Sequence, residues 1–167
     1  MIIRAATPKD HDAIWSMLKP VFRAGETYAV SRTTTREQAL VMWCETPRAT
    51  FVVEDGDALL GTYYMKTNAQ GGGAHVCNCG YVTASSAQGR GVARAMCVQS
   101  QEKALELGYR AMQFNMVLAT NLGAIALWHK LGFETIGKLP SVFEHPEKGL
   151  VDAHVMYKWL KSQLNSA

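Results

Sequence analysis

One stretch limits the possible folds more than any other: Tyr81-Val82-Thr83-Ala84-Ser85-Ser86-Ala87-Gln88-Gly89-Arg90-Gly91-Val92-Ala93. A strand-like run passes through a polar, glycine-bearing turn (Ser85–Gly91) into a long helix, Val92–Leu107, which Gly108 stops. The first N–H groups of a helix have no partner inside it and together carry about half a unit of positive charge. A pyrophosphate can sit on such amides. Gly89, Gly91 and the small Ala93 let phosphates approach the backbone, and Arg90 and Arg94 add positive charge. Taken alone, the pattern also fits an ordinary surface turn. It lacks the Gly-x-Gly-x-x-Gly of dinucleotide sites after a first strand and the Gly-Lys-Ser/Thr ending of a Walker loop.

The flanking pattern alternates short strands and helices. Ile2–Ala5 reads as a strand. Thr7-Pro8 caps a helix running to about Lys19, with Ile14, Leu18 and Val21 as its apolar stripe. A second helix, about Thr35–Glu45, is expected with a capping box of Thr34 and Glu37. Ala49–Glu54, Ala58–Lys66, His75–Thr83, Ala111–Leu118, Phe133–Lys138 and Val151–Trp159 read as strands, and Asn121–Leu131 as a helix. Asn68–Gly73 reads as a hairpin loop. This order predicts an α/β fold with a mixed central sheet, flanked by about four helices.

The 167 residues, 48% of them apolar, suit a single domain over 1–167. A net charge of +3 is too small to argue for nucleic acid. No apolar run is long enough for a bilayer, and the N-terminus lacks a signal-peptide pattern, so no membrane partner and a cytoplasmic location are expected. Cys44, Cys77, Cys79 and Cys97 read as reduced thiols. His75, Cys77 and Cys79 share a strand face, but no second ligand pair has zinc spacing, so no metal is expected.

Two motifs in order narrow the reading. Gln88-Gly89-Arg90-Gly91-Val92-Ala93 resembles the Gln/Arg-x-x-Gly-x-Gly/Ala pyrophosphate loop of GNAT acetyltransferases. Asn121-Leu122-Gly123-Ala124-Ile125-Ala126-Leu127-Trp128-His129-Lys130-Leu131-Gly132-Phe133 resembles that family's Asn-x-x-Ala-x-x-Leu-Tyr-x-x-x-Gly-Phe signature. The resemblance implies the GNAT fold, with the sheet splayed between its fourth and fifth strands and acetyl-CoA lying in the splay as donor. Gln88 to Arg94 would meet the pyrophosphate. Tyr81 or Val82 would polarise the thioester through a main-chain amide, and Asn121, Ala124 and Trp128 would line the coenzyme. Transfer would be direct. The family's usual tyrosine acid is replaced by Trp128, which cannot donate a proton in that way. Family habit, with the aromatic region near Trp159, points to a homodimer.

Direct transfer needs a neutral amine. At pH 7 a lysine-like amine costs roughly 4.6 kcal/mol to deprotonate and a peptide α-amine about 1 kcal/mol. Candidate bases are Glu26, His75, His129, Glu144 and His145. Asn78 and Asn115 stand out as asparagines inside strands, where buried amides need partners. Alternation would aim both into one cleft or make them a ladder across the splay. The segments Gly61–Asn68, His75–Tyr81, Phe114–Val117, Thr120-Asn121 and Val151–Ala153 look like the fungal proline-analogue (azetidine-2-carboxylate) N-acetyltransferase subgroup. That likeness implies that Asn78 grips the acceptor, Asn115 assists catalysis and Asn121 touches the coenzyme. The reading is therefore acetylation of a small-molecule amine in a closed pocket lined by Glu26, Thr27, Tyr28, Tyr63 and Asn78. The alternatives are a protein N-terminus or lysine in an open groove, and an acyl-CoA sensor without turnover.

Overall fold

The computed structural model describes residues 1–160; the end of the expected single domain, 161–167, lies outside the described residues. Seven strands form one sheet: β1 (Ile2–Ala5), β2 (Ala49–Asp55), β3 (Ala58–Thr67), β4 (Val76–Thr83), β5 (Ala111–Leu118), β6 (Glu134–His145) and β7 (Gly149–Trp159). Their order is β1-β2-β3-β4-β5-β7-β6, antiparallel except at β4–β5. Among the described residues four α-helices flank the sheet: α1 (His11–Ala24), α2 (Arg36–Leu40), α3 (Val92–Glu106) and α4 (Leu122–Lys130). This is the mixed, splayed GNAT architecture that the element order and the two motifs predict. None of the helices is long and apolar enough to cross a membrane.

β4 and β5 pair only at Val76–Ala111 and Cys77–Met112, and beyond that the sheet forks. Asn68 N–H donates to the Val76 carbonyl and Ala84 N–H to that of Leu60, so even-numbered residues of β4 turn their main-chain groups to β3. The main-chain groups of Cys79, Tyr81 and Thr83 therefore face the fork. Side chains alternate the opposite way. Val82 joins the core under α1 and α2 with Phe22, Trp43 and Val52, while Cys79 joins the core under α3 and α4 with Met96, Phe114 and Phe133.

Three boundaries depart from the sequence reading. α1 continues through Pro20 to Ala24 and ends on left-handed Gly25. A proline inside a helix costs about 3 kcal/mol, but stopping there would expose Phe22, which is fully buried. The capping box of α2 is Thr35 with Gln38, not Thr34 with Glu37. Thr34 is buried, and its carbonyl accepts from Arg23 at 2.9 Å. β6 runs on to His145 because an irregularity between Leu139 and Phe143, with Ser141 at φ 48°, absorbs Pro140 and lets pairing resume. Asp152 holds that kink by accepting from Ser141 N–H at 2.8 Å and pairing with Lys138 at 2.6 Å.

Candidate active site

At the fork lies a cavity of about 680 Å³. Its walls include Thr27, Tyr28, Asn78, Tyr81, Val82, Gln88, Ala93, Asn115, Asn121, Ala124 and Trp128, all expected from the sequence. Gly89, Arg90, Gly91, Val92 and Arg94 stand at its mouth in the loop and first turn that open α3, but do not line it. Gly89 and Gly91 are both left-handed, at φ 76° and 77°, and Gly91 precedes the helix without a capping side chain. Among the described residues, the N–H groups of Gly89, Gly91, Val92 and Ala93 donate to no protein acceptor. The Val92 side chain is buried against Gly61, so only its amide can serve a ligand. Arg90 pairs with Asp55 at 2.8 Å, which leaves Arg94 as the loop's unpaired cation among the described residues.

Tyr63 does not belong to this cavity. It is fully buried on the opposite face, stacked on Phe51 at 4.8 Å and bonded to Gln99. Its neighbour Tyr64 lines the cavity instead, edge-on to Trp43 at 4.8 Å. Gly80 was the available signal. It sits opposite Tyr64, where a Cβ would come within 2.5 Å of the tyrosine ring. Burial pushes the Tyr64 phenol up to about 12 and also raises those of Tyr28 and Tyr81, so all three stay protonated near neutral pH. Tyr28 donates to the Tyr81 carbonyl at 2.9 Å, tying the loop after α1 over the fork.

The two asparagines take different positions. Asn78 is buried and bridges the fork, its amide donating to the Gln113 carbonyl at 2.9 Å and its oxygen lying 3.4 Å from Tyr64 Oη. Asn115, expected to be buried, is exposed on the cavity wall, because β5 bulges between Phe114 and Val117. It joins an amide chain, donating to Asn68 at 2.8 Å and accepting from Gln113 at 2.9 Å. Asn121 caps α4, its Oδ1 accepting from Ala124 N–H at 3.2 Å, which leaves its amide protons available. Trp128 packs between Tyr81 and Phe114, at 5.2 Å and 5.1 Å.

The expected bases scatter. Glu26 is exposed and outside the cavity, His75 lies beside Trp159 at the far end of β4, and His129 faces the Phe133 carbonyl at 3.0 Å. Glu144 and His145 line a second groove. No carboxylate or imidazole among the described residues lines the main cavity. No cluster of three metal-ligating side chains occurs among the described residues, and all four cysteines are free.

Comparison with known proteins finds relatives of the same fold. A GCN5-related N-acetyltransferase from Kribbella flavida superposes with a TM-score of 0.90 at 41% identity, over 95% of this chain and 97% of that one. A phosphinothricin acetyltransferase of the GNAT superfamily from Sinorhizobium meliloti, solved with acetyl-CoA, shares the fold at a TM-score of 0.83 and 20% identity, over 95% of this chain and 88% of that one. The N-acetyltransferase aca1 of Schizosaccharomyces pombe is 32% identical over 108 residues, covering 64% of this chain and 52% of the relative, so the match spans about half of that protein's length. The sequence pattern of the acetyltransferase (GNAT) family matches residues 12–133, and the chain belongs to that family.

Proposed function

We propose that the protein moves an acetyl group from acetyl-CoA directly to the amine of a small molecule, an amino acid or an amino-acid analogue. One observation carries this reading: unpartnered amides at the head of α3 open onto a forked sheet whose far wall presents Asn78 and Asn115. The pyrophosphate rests on the free amides of Gly89, Gly91, Val92 and Ala93, with Arg94 beside it. The coenzyme's arm runs along the fork-facing main chain of β4, past Asn121, Ala124 and Trp128. The amine attacks the thioester carbon, a C–N bond forms, and the C–S bond breaks to release a thiolate. The Tyr81 main-chain N–H faces the fork and supports the developing oxyanion, a kind of contact commonly worth two to three powers of ten in rate. Asn115, held by Asn68 and Gln113, orients the reacting centre.

Among the described residues the cavity is lined by no carboxylate or imidazole, so the amine loses its proton to water. Trp128 bears no transferable proton, so the thiolate leaves without a protein acid. Two features favour a small acceptor: Tyr28 closes over the fork, and the likeness to the proline-analogue subgroup puts imino acids first among amines to try.

The test mixes the protein with acetyl-CoA and a panel of amino acids, imino acids, peptides and lysine analogues, following free thiol. Thiol release with a small amine, at a rate above hydrolysis, is expected. Turnover confined to peptides would move the acceptor to a protein. Tight coenzyme binding with no thiol release from any amine would mark a sensor.

A further inference from the structure

A second groove of about 500 Å³ lies between the segment after α1 and the β6–β7 hairpin, and meets the main cavity at Tyr28 and Ala29. Its polar side chains include Arg32, Glu144 and His145. His145 is only 7% exposed. Its Nδ1 accepts from Glu147 N–H at 3.2 Å, which places the ring proton on Nε2. Nε2 has no partner among the described residues. Among the described residues the fully buried side-chain atom without a partner is His154 Nδ1, elsewhere on β7, so His145 Nε2 keeps contact with solvent, and His145 lines this groove.

Arg32 faces it from the other wall. Its stem lies across Gly25, where a Cβ would come within 2.9 Å of Arg32 Cδ, and its Nε donates to the Arg23 carbonyl at 2.7 Å. Arg23 returns the bond to the Arg32 carbonyl. The guanidinium is thereby set in place while its two terminal nitrogens stay without partners among the described residues, and Glu144 forms no ion pair with it. A fixed cation and an aimed N–H donor within one groove suit a planar anion, because a guanidinium fork matches two carboxylate oxygens.

We propose that this groove is the acceptor's distal subsite and that Arg32 and His145 Nε2–H select an amine carrying a carboxylate. The assignment rests on the fork being the site of transfer: the amine end enters past Tyr28 and Ala29 while the acid end stays in the groove. Glu144, on the same wall, disfavours acceptors with a second carboxylate.

The test uses the whole protein with saturating coenzyme A for binding, and with acetyl-CoA for turnover. A panel of α-, β-, γ- and ω-amino acids and imino acids, which differ in the span from amine to carboxylate, is compared, each with its own carboxamide, which keeps the amine but removes the charge. At least one acid should bind ten-fold or more tighter than its amide, with the same ratio in kcat/KM. His145→Phe and Arg32→Met should each bring that ratio near one without weakening coenzyme A binding. His145→Gln, which keeps an N–H near the Nε2 position, should restore most of it. Equal binding of acids and amides, tighter binding of the amides, or no binding by any acid overturns the subsite, as does a ratio that survives both variants. Acid-selective binding without any transfer would leave the subsite standing and sink the transfer reading instead.

Discussion

At the residue scale, several side chains carry two duties that substitution can separate. Asn121 caps α4 with its oxygen and offers its amide protons to the cavity. Asn121→Asp keeps the capping oxygen but loses the donor, so the fold should hold while coenzyme affinity falls. Asn121→Ala should also cost about 1 kcal/mol of stability. Thermal melts beside calorimetric titration with coenzyme A separate the two, and equal affinity in all three proteins would remove Asn121 from the site. Asn115→Ala should cut turnover far more than coenzyme affinity, and unchanged kcat would discard its role. Asp10 illustrates a purely structural charge. It is buried and takes two hydrogen bonds from Arg4, at 2.8 Å and 2.9 Å, which hold its carboxyl well below the usual carboxylate range. A carboxyl depressed in this way stabilises the fold above the unfolded pKa of about 3.9, and that contribution fades as the pH falls further. Asp10→Asn should cost about 2 kcal/mol at pH 7, and denaturant melts across pH 2–7 should show the gap to wild type narrowing towards acid.

At the scale of elements, the sequence was legible wherever a local rule decided the outcome. Glycines at 89, 91 and 108 marked a turn and the end of a helix, whereas the capping role of Asn121 at the start of α4 emerged only from the structure. It was less legible where burial overrode a local signal. Pro20 reads as a stop, yet Phe22 beyond it pulls α1 onward into the core. The strand expected to end at Lys138 continues past Pro140 and Ser141, because Asp152 re-registers β6. Tyr63 and Tyr64 are neighbours of one type, and only the pleat decides which enters the cavity; Gly80 across the ladder held that information. Arg32 and His145 had no sequence signal as a pair, because they lie far apart along the chain. Gly80→Ala should therefore displace Tyr64 and weaken acceptor binding, with coenzyme affinity unchanged. Comparing KM for the amine with Kd for coenzyme A checks this, and an unaltered KM would count against Tyr64 as a wall of the acceptor pocket.

At the scale of the whole molecule, the cavity's chemistry sets the pH response. Burial raises the pKa values of its tyrosines and no carboxylate or imidazole among the described residues lines it, so kcat/KM should rise with pH until the acceptor's own amine is neutral. Exchanging acceptors of different basicity should move that midpoint accordingly, whereas a midpoint fixed across acceptors would reveal a protein base. Ligand loading should also register globally. At one hundred times its Kd, coenzyme A adds about 2.7 kcal/mol, which for a chain of this size raises Tm by roughly 5–10 °C. Gly91→Asp should abolish that rise, because a carboxylate would meet the diphosphate; an undiminished shift would argue against the loop.

The two residue pairs that join β4 to β5 also act as a pivot. From Cys77 to Thr83 the strand extends about 20 Å at roughly 3.3 Å per residue. A relative rotation of only about 3° at Cys77–Met112 therefore shifts the far tip by about 1 Å, a geometric gain set by that strand length. Substitutions at the pivot, four residues along β4 from Tyr81, would thus adjust the width of the opening more than equal changes at the tip itself.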